Sequence, residues 1–295
     1  MAARLGRSLS RAGAAPLQLL QSAAELALSP AERVSDGFRQ RAVLAEAEHR
    51  PWRLPRRPWS MGQTWTNLLF AHWRVPVPAL EAVVPAQLRI DTCDGSAWLG
   101  ITPFLVQGLR LRGTPPVPWL STFPEINVRT YVTVDGKPGI YFLSLDADSP
   151  AAVAAARRAY RLPYFQARIA AGRDGDGFRF DCTRVSSDGP PAYFDARYGP
   201  AGERMPVRDG SLERWLAERY CLYTLDQRRR TLRGEIHHPP WPLQPAWAEI
   251  ETNTMAGPFG IALDGEPLLH FSARQDVALW PLSPSPRPAG AEERG

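Results

Sequence analysis

Lysine is almost missing from this chain. Of 35 basic positions in 295 residues, 34 are arginine, and Lys137 stands alone in the stretch VDGKPGIYF. Chemistry that needs an amine side chain, an imine included, has to run through that one residue. Cysteine is scarce too. Cys93, Cys182 and Cys221 are odd in number, far apart and without CxxC spacing. That excludes a disulfide framework or zinc knuckle and suits reduced thiols in a cytoplasmic protein. No apolar run approaches the roughly 18 residues of a membrane-spanning helix, so no membrane partner is expected.

Several catalytic signatures are also lacking. There is no G-x-S-x-G elbow for a serine hydrolase. The stretch GRDGDG has neither a Walker lysine nor dinucleotide-binding spacing, and DGDG within it is hairpin-turn chemistry. The net charge is only +5 and the arginines are scattered, so no nucleic-acid footprint emerges. The adjacent pair His237 and His238, in RGEIHHPPWPL, would point to opposite faces of a strand and could not easily share a metal. His72 and His270 are too remote in sequence to assign as partners. No metal and no cofactor is expected.

What the chain has in quantity is punctuation: 30 prolines and 23 glycines, set between short apolar runs. This is the pattern of a turn-rich β protein. AWLGITPFLVQGLRL (97–111) suits a well-buried strand. EINVRTYVTVDGKPGIYFLSLDA (125–147) predicts a hairpin turning at Asp135-Gly136. FQARIAA, GFRFDCTRV and AYFDARYG follow as successive antiparallel strands, and LLHFSARQDVALWPL supplies a last one. Three short helices are expected: PALEAVVPAQL, SPAAVAAARRAYRL with Ser149 as cap and Pro150 behind it, and GSLERWLAERY capped by Ser211.

The expected fold is mainly β (α+β), an antiparallel closed barrel with a few short helices. A closed barrel removes exposed strand edges, and a large one encloses a cavity. Residues 1–48 form an extension, helical or disordered, 49–283 the barrel domain, and 284–295 a disordered tail. The Arg-rich, acid-poor start resembles a mitochondrial transit peptide, but Gln18, Gln21 and Glu25 break any secretory apolar core.

Glu125, Asn127, Arg129 and Tyr131 are spaced by two and share one strand face. On a lumen wall they would converge on one cavity, with Arg129 clamping a carboxylate and Glu125 acting as acid or base. On a solvent face they would be a polar stripe closed by a Glu125–Arg129 salt bridge. Glu235 and His237 share another face and could bind substrate. Tyr164, in YRLPYF, is either a pocket phenol or a packed tyrosine. Lys137, beside the turn, is expected to be exposed, with an ordinary pKa.

The stretches HRPWRLPRRPW, QTWTNLLFAHW, FPEINVRTYV, GKPGIYFLSLDA, LPYFQA, ERYCLYTLD and RGEIHHPPWPLQPA together resemble the YqjF-like proteins of unknown function. That group is the DUF2071 family of the acetoacetate decarboxylase-like superfamily. The similarity runs from about His49 to Leu282 and implies a cone-shaped barrel with an internal cavity. It also implies a comparison of mechanism. Acetoacetate decarboxylase forms a Schiff base through a lysine whose pKa is lowered by a second lysine and an apolar setting. The comparable stretch here is RRAYRLPYF, where Tyr164 and Phe165 follow Pro163 and no lysine stands. Glu125 is similar in position to a glutamate of the decarboxylase cavity.

The expectation is a barrel that takes a small carboxylate- or carbonyl-bearing molecule as its partner. Glu125 and Tyr164 are the catalytic candidates, and Arg129, Asn127, Tyr131, His237 and Glu235 the binding candidates. Two alternatives stand beside simple binding: a lyase- or isomerase-like enzyme acting on a keto or enol substrate, and a non-catalytic scaffold with a filled barrel. Self-association into a homo-oligomer is left open.

Overall fold

The structure, a computed structural model, describes residues 42–117 and 120–285. Most of the expected extension and tail lies outside the described residues. Strand β1 (Met61–Val75) leads through helix α1 (Val77–Glu81) to β2 (Arg89–Ile90) and β3 (Ala97–Leu111). The hairpin of β4 (Phe123–Val134) and β5 (Lys137–Ala147) precedes α2 (Pro150–Tyr160). Next come β6 (Tyr164–Asp174), β7 (Gly177–Arg184), β8 (Tyr193–Pro200) and α3 (Leu212–Ala217). The chain continues with β9 (Cys221–Leu225), β10 (Thr231–His237), β11 (Gln244–Asn253), β12 (Leu268–Leu279) and β13 (Ser283–Pro284).

Local chemistry sets the boundaries of the hairpin and of α2. Asp135 and Gly136 have φ of 50° and 72°, as a two-residue mirror-image turn requires. Ser149 Oγ accepts from the Ala152 amide at 3.3 Å, and Pro150 occupies the first turn of α2. Arg161, left-handed at φ 51°, ends that helix two residues before Pro163. Strand β11 has no counterpart among the sequence expectations. Its residues are half-buried or exposed throughout, so its hydrophobic signal is weak.

The sheet forks twice. One edge of β5 pairs with β4 along its whole length. Its other edge is shared, with β9 alongside Ile140 and Tyr141 and β6 alongside Leu145 to Ala147, both parallel. Strand β12 forks likewise: β1 takes one edge, while β11 and β10 divide the other. Two hydrogen-bonded rings result, sharing the wall β12-β1-β3-β4-β5. The smaller ring closes through β9 and β10, the larger through β6, β7, β8 and β11.

That wall is buried on both faces, which is why β3 is so nearly apolar throughout. Leu69, Ile101, Val128, Phe180, Phe194 and Tyr198 belong to the core that fills the larger ring. The opposite faces of the same strands line a cavity inside the smaller ring. No helix among the described residues is long and apolar enough to cross a membrane.

Candidate functional site

Along β4, Ile126 and Val128 enter the large core while Glu125, Asn127 and Arg129 face the cavity. The polar stripe is therefore inside, and all three residues are buried at 4–5% exposure. The cavity measures about 340 Å³ and takes walls from every strand of the smaller ring. Small-ligand pockets start at roughly 300 Å³. Trp65, Phe104 and Trp241 form an aromatic side, with Trp65 5.6 Å from Phe104 and 6.1 Å from Trp241 between ring centres.

Tyr164 opens β6 immediately after the Leu162-Pro163 turn, and its side chain reaches across β5 into this space. Its hydroxyl donates to Glu125 Oε2 at 2.9 Å. Burial pushes the Glu125 carboxyl up to about 8; the Tyr164 hydrogen bond opposes that rise and Asp146 adds to it. The Tyr164 phenol is held well above its ordinary value by burial and by Glu125. At neutral pH both groups are protonated. One carboxyl oxygen takes the phenol's hydrogen bond, which leaves the acid proton on the other.

Arg129 lies deeper. Gly100, on β3, pairs directly with it, and a β-carbon there would stand 3.4 Å from Arg129 Cγ and 3.0 Å from the His72 ring. The guanidinium sits 5.0 Å over the Phe70 ring. Burial lowers its pKa, with the Tyr131 hydroxyl opposing and Arg219 adding to the fall. Among the described residues no carboxylate acts on Arg129, and no arginine acts on Glu125. The diagonal salt bridge of a solvent-facing stripe is not formed.

Arg219, which follows α3, is a cavity residue that sequence reasoning missed. Its Nη1 donates to Asp91 Oδ2 and its Nε to the Trp215 carbonyl, each at 2.6 Å. The guanidinium stacks 4.2 Å over Trp215 and 4.8 Å over Tyr131. Arg219 Nη2, Arg129 Nε, Asn127 Oδ1, Thr102 Oγ1 and Trp241 Nε1 are buried without a hydrogen-bond partner in the protein, and all five residues line the cavity. Buried polar atoms are seldom left unpaired without a reason. Nothing in the local sequence flagged Arg219, since it comes from a loop.

Three expected lumen residues lie elsewhere. Tyr131 shares the face of Arg129 but passes beyond the cavity floor, where it bonds His72 Nε2 at 2.6 Å and packs with Trp98 and Leu216. Glu235 and His237 do share a face, but it is the outer face of β10; Ile236 and His238 are the ones that line the cavity. The outer face clasps the chain entering β1. Trp52 Nε1 donates to Glu235 Oε2 at 3.2 Å and Arg50 Nη1 to the Ile236 carbonyl at 2.6 Å. His237 Nε2 bonds the Val43 carbonyl at 2.8 Å, while its Nδ1 lies 3.2 Å from Arg50 Nη1. Arginine can only donate, so Nδ1 accepts and the proton sits on Nε2.

Lys137 belongs to the same clasp, not to solvent. Its ammonium donates to Glu235 Oε1 at 2.7 Å and lies 4.1 Å from the Trp52 ring centre. The side chain is 17% exposed, and burial lowers its pKa while Glu235 opposes the fall. The expected turn is present, but the arm of residues 50–52 covers the amine. Lys137 does not line the cavity.

A mainly-β chain whose strands close around such a cavity has the fold of the acetoacetate decarboxylase-like structures. Acetoacetate decarboxylase from Legionella pneumophila is similar in fold, with a TM-score of 0.55 at 12% identity, covering 83% of this chain and 95% of that one. The enduracididine biosynthesis enzyme MppR complexed with pyruvate is similar too, with a TM-score of 0.53 at 14% identity over 80% and 93% of the two chains. The chain belongs to the DUF2071 family, an uncharacterized conserved protein family whose pattern matches residues 62–276. The uncharacterized protein YqjF of Bacillus subtilis is 46% identical over 225 residues, 76% of this chain and 92% of that one.

Proposed function

We propose that the cavity binds a small carboxylate- or carbonyl-bearing organic molecule and that Glu125 and Tyr164 act on it as a proton-donating pair. One observation carries this reading: Glu125, bonded by Tyr164 and raised by burial to about 8, shares a cavity with the unpaired Nε of Arg129. The guanidinium suits a carboxylate, and Asn127 and Thr102 offer further polar contacts. Pyruvate bound to MppR shows an oxo acid held by a protein of similar fold.

The elevated Glu125 favours an enzyme over a passive carrier. A neutral carboxylic acid can hand its proton to an enol carbon or a carbonyl oxygen at neutral pH. Tyr164 then stabilises the carboxylate left behind. A lyase- or isomerase-like reaction on a keto or enol acid fits those parts, and it proceeds without an imine because the cavity has no lysine. The unpaired polar atoms speak against the alternative of a filled, inert scaffold.

Native mass spectrometry of freshly purified protein tests binding directly. A co-purifying organic acid is expected, lost in Arg129→Gln. Turnover of keto acids, followed as solvent deuterium entering the substrate, should vanish in Glu125→Gln while ligand binding remains. Unchanged exchange in that variant would remove Glu125 from the chemistry.

A further inference from the structure

The cavity is polar at one end and apolar at the other, and strand order fixes the sequence of its walls. Reading along β4, Phe123, Glu125, Asn127 and Arg129 succeed one another on the cavity face. The six steps of strand from Phe123 to Arg129 span roughly 20 Å. The Arg129 end is floored by Arg219. The Phe123 end packs against Val153 and Ala152 of α2.

Helix α2 turns a face of small side chains to this end. Ala151, Ala155 and Ala159, spaced by four, line the cavity together with Ala152 and Ala156. Met61, Leu109 and Leu111 line the cavity as well. Leu111 is 60% exposed, so the apolar end is also the open one. Larger residues on α2 would fill this space, and no charged side chain lines it.

We propose that the ligand is an amphipathic monocarboxylate, its head between Arg129 and Arg219 and its hydrocarbon tail along the alanine face of α2. This rests on the reading of the cavity as a small-acid site and adds the class of acid. Arg219 becomes the second half of the head site: its Nη2 and the Arg129 Nε are the two buried, unpaired guanidinium nitrogens of the cavity. Glu125 and Tyr164 stand between head and tail, so the carbon they protonate lies near the carboxylate and not at the chain end. The acid enters head first, because the mouth is at the tail end.

Calorimetry on the full chain with butanoate, hexanoate, octanoate and octanamide tests the assignment. Affinity should rise roughly fourfold per added methylene, and octanamide should bind at least tenfold more weakly than octanoate. Ala155→Leu, or Ala159→Leu if the first lowers the melting temperature, should weaken octanoate at least tenfold and butanoate less than twofold. Arg219→Gln should weaken every acid and leave octanamide unchanged. Butanoate binding as tightly as octanoate, with both alanine variants indifferent, would overturn the tail while the acid site survives. Octanoate and octanamide binding alike would overturn the paired-arginine head. Failure of every acid to bind would overturn the underlying reading as well.

Discussion

Tyr164 and Glu125 meet at 2.9 Å although their strands, β6 and β4, are not neighbours. β5 lies between them, pairing Ala147 with Glu125 and Leu145 with Tyr164. The contact exists only because the ring curves enough for two side chains to reach over an intervening strand. Sequence spacing links Glu125 to Asn127 and Arg129, whereas closure of the ring links it to Tyr164.

Stability should fall as pH rises because of Glu125. Its carboxyl titrates near the ordinary 4.5 when unfolded and at about 8 when folded. The folded state therefore holds the proton more tightly, and its contribution is complete below pH 4.5 and lost as pH climbs through 8. The slope from this group is of the order of 1 kcal/mol per pH unit. Glu125→Gln should erase it, so the variant gains on the parent between pH 5 and 8 in urea titrations. A constant difference between the two would contradict a protonated Glu125.

His237 predicts the opposite dependence for the arm. Burial holds its imidazole down to about 4, with the Val43 carbonyl opposing and Arg50 contributing to the fall. Its contribution is present above the unfolded value of 6.5 and lost as pH falls through 4. Protonation would put a hydrogen on Nδ1, where Arg50 now donates. Amide protection at residues 43–52, taken relative to the intrinsic exchange rate at each pH, should fall on acidification over that range. His237→Gln should flatten the response.

Lys137→Arg should leave fold and ligand binding intact, because a guanidinium can still pair with Glu235 and stack on Trp52. Lys137→Met leaves Glu235 with Arg50 and Arg233, so a loss of about 1 kcal/mol is expected. Borohydride reduction with a keto acid should give no mass adduct on the native protein. An adduct on Lys137 would show that the clasp opens and that imine chemistry is within reach.

Asp146 and Arg184 form a two-point ion pair at 2.6 and 2.7 Å with both side chains almost wholly buried. Arg184→Met strands the carboxylate and should lower stability by about 3–5 kcal/mol. Adding Asp146→Leu should recover most of it, since an apolar pair of similar bulk is tolerated there. Denaturant melts of the parent, the single and the double variant decide this.

Much of the fold was legible in the sequence because its signals are local. The Asp135-Gly136 turn, the Ser149 cap and the long apolar run of β3 each announce themselves within a few residues. The site was legible only as far as period two reaches. Glu125, Asn127 and Arg129 could be placed on one face, but Tyr131, next in the same row, falls past the cavity floor. Glu235 and His237 were paired correctly and assigned to the wrong side, since alternation defines two faces without saying which is inner. Arg219 was invisible because no periodicity governs a loop.

The five strands common to both rings act as a party wall. Ile126 and Val128 press on one room while Glu125, Asn127 and Arg129 furnish the other, on alternate residues of one strand. A close-packed wall transmits a change of volume from either side. Ligand preference can therefore drift through substitutions at Phe180 or Phe194, positions that no inspection of the cavity alone would nominate.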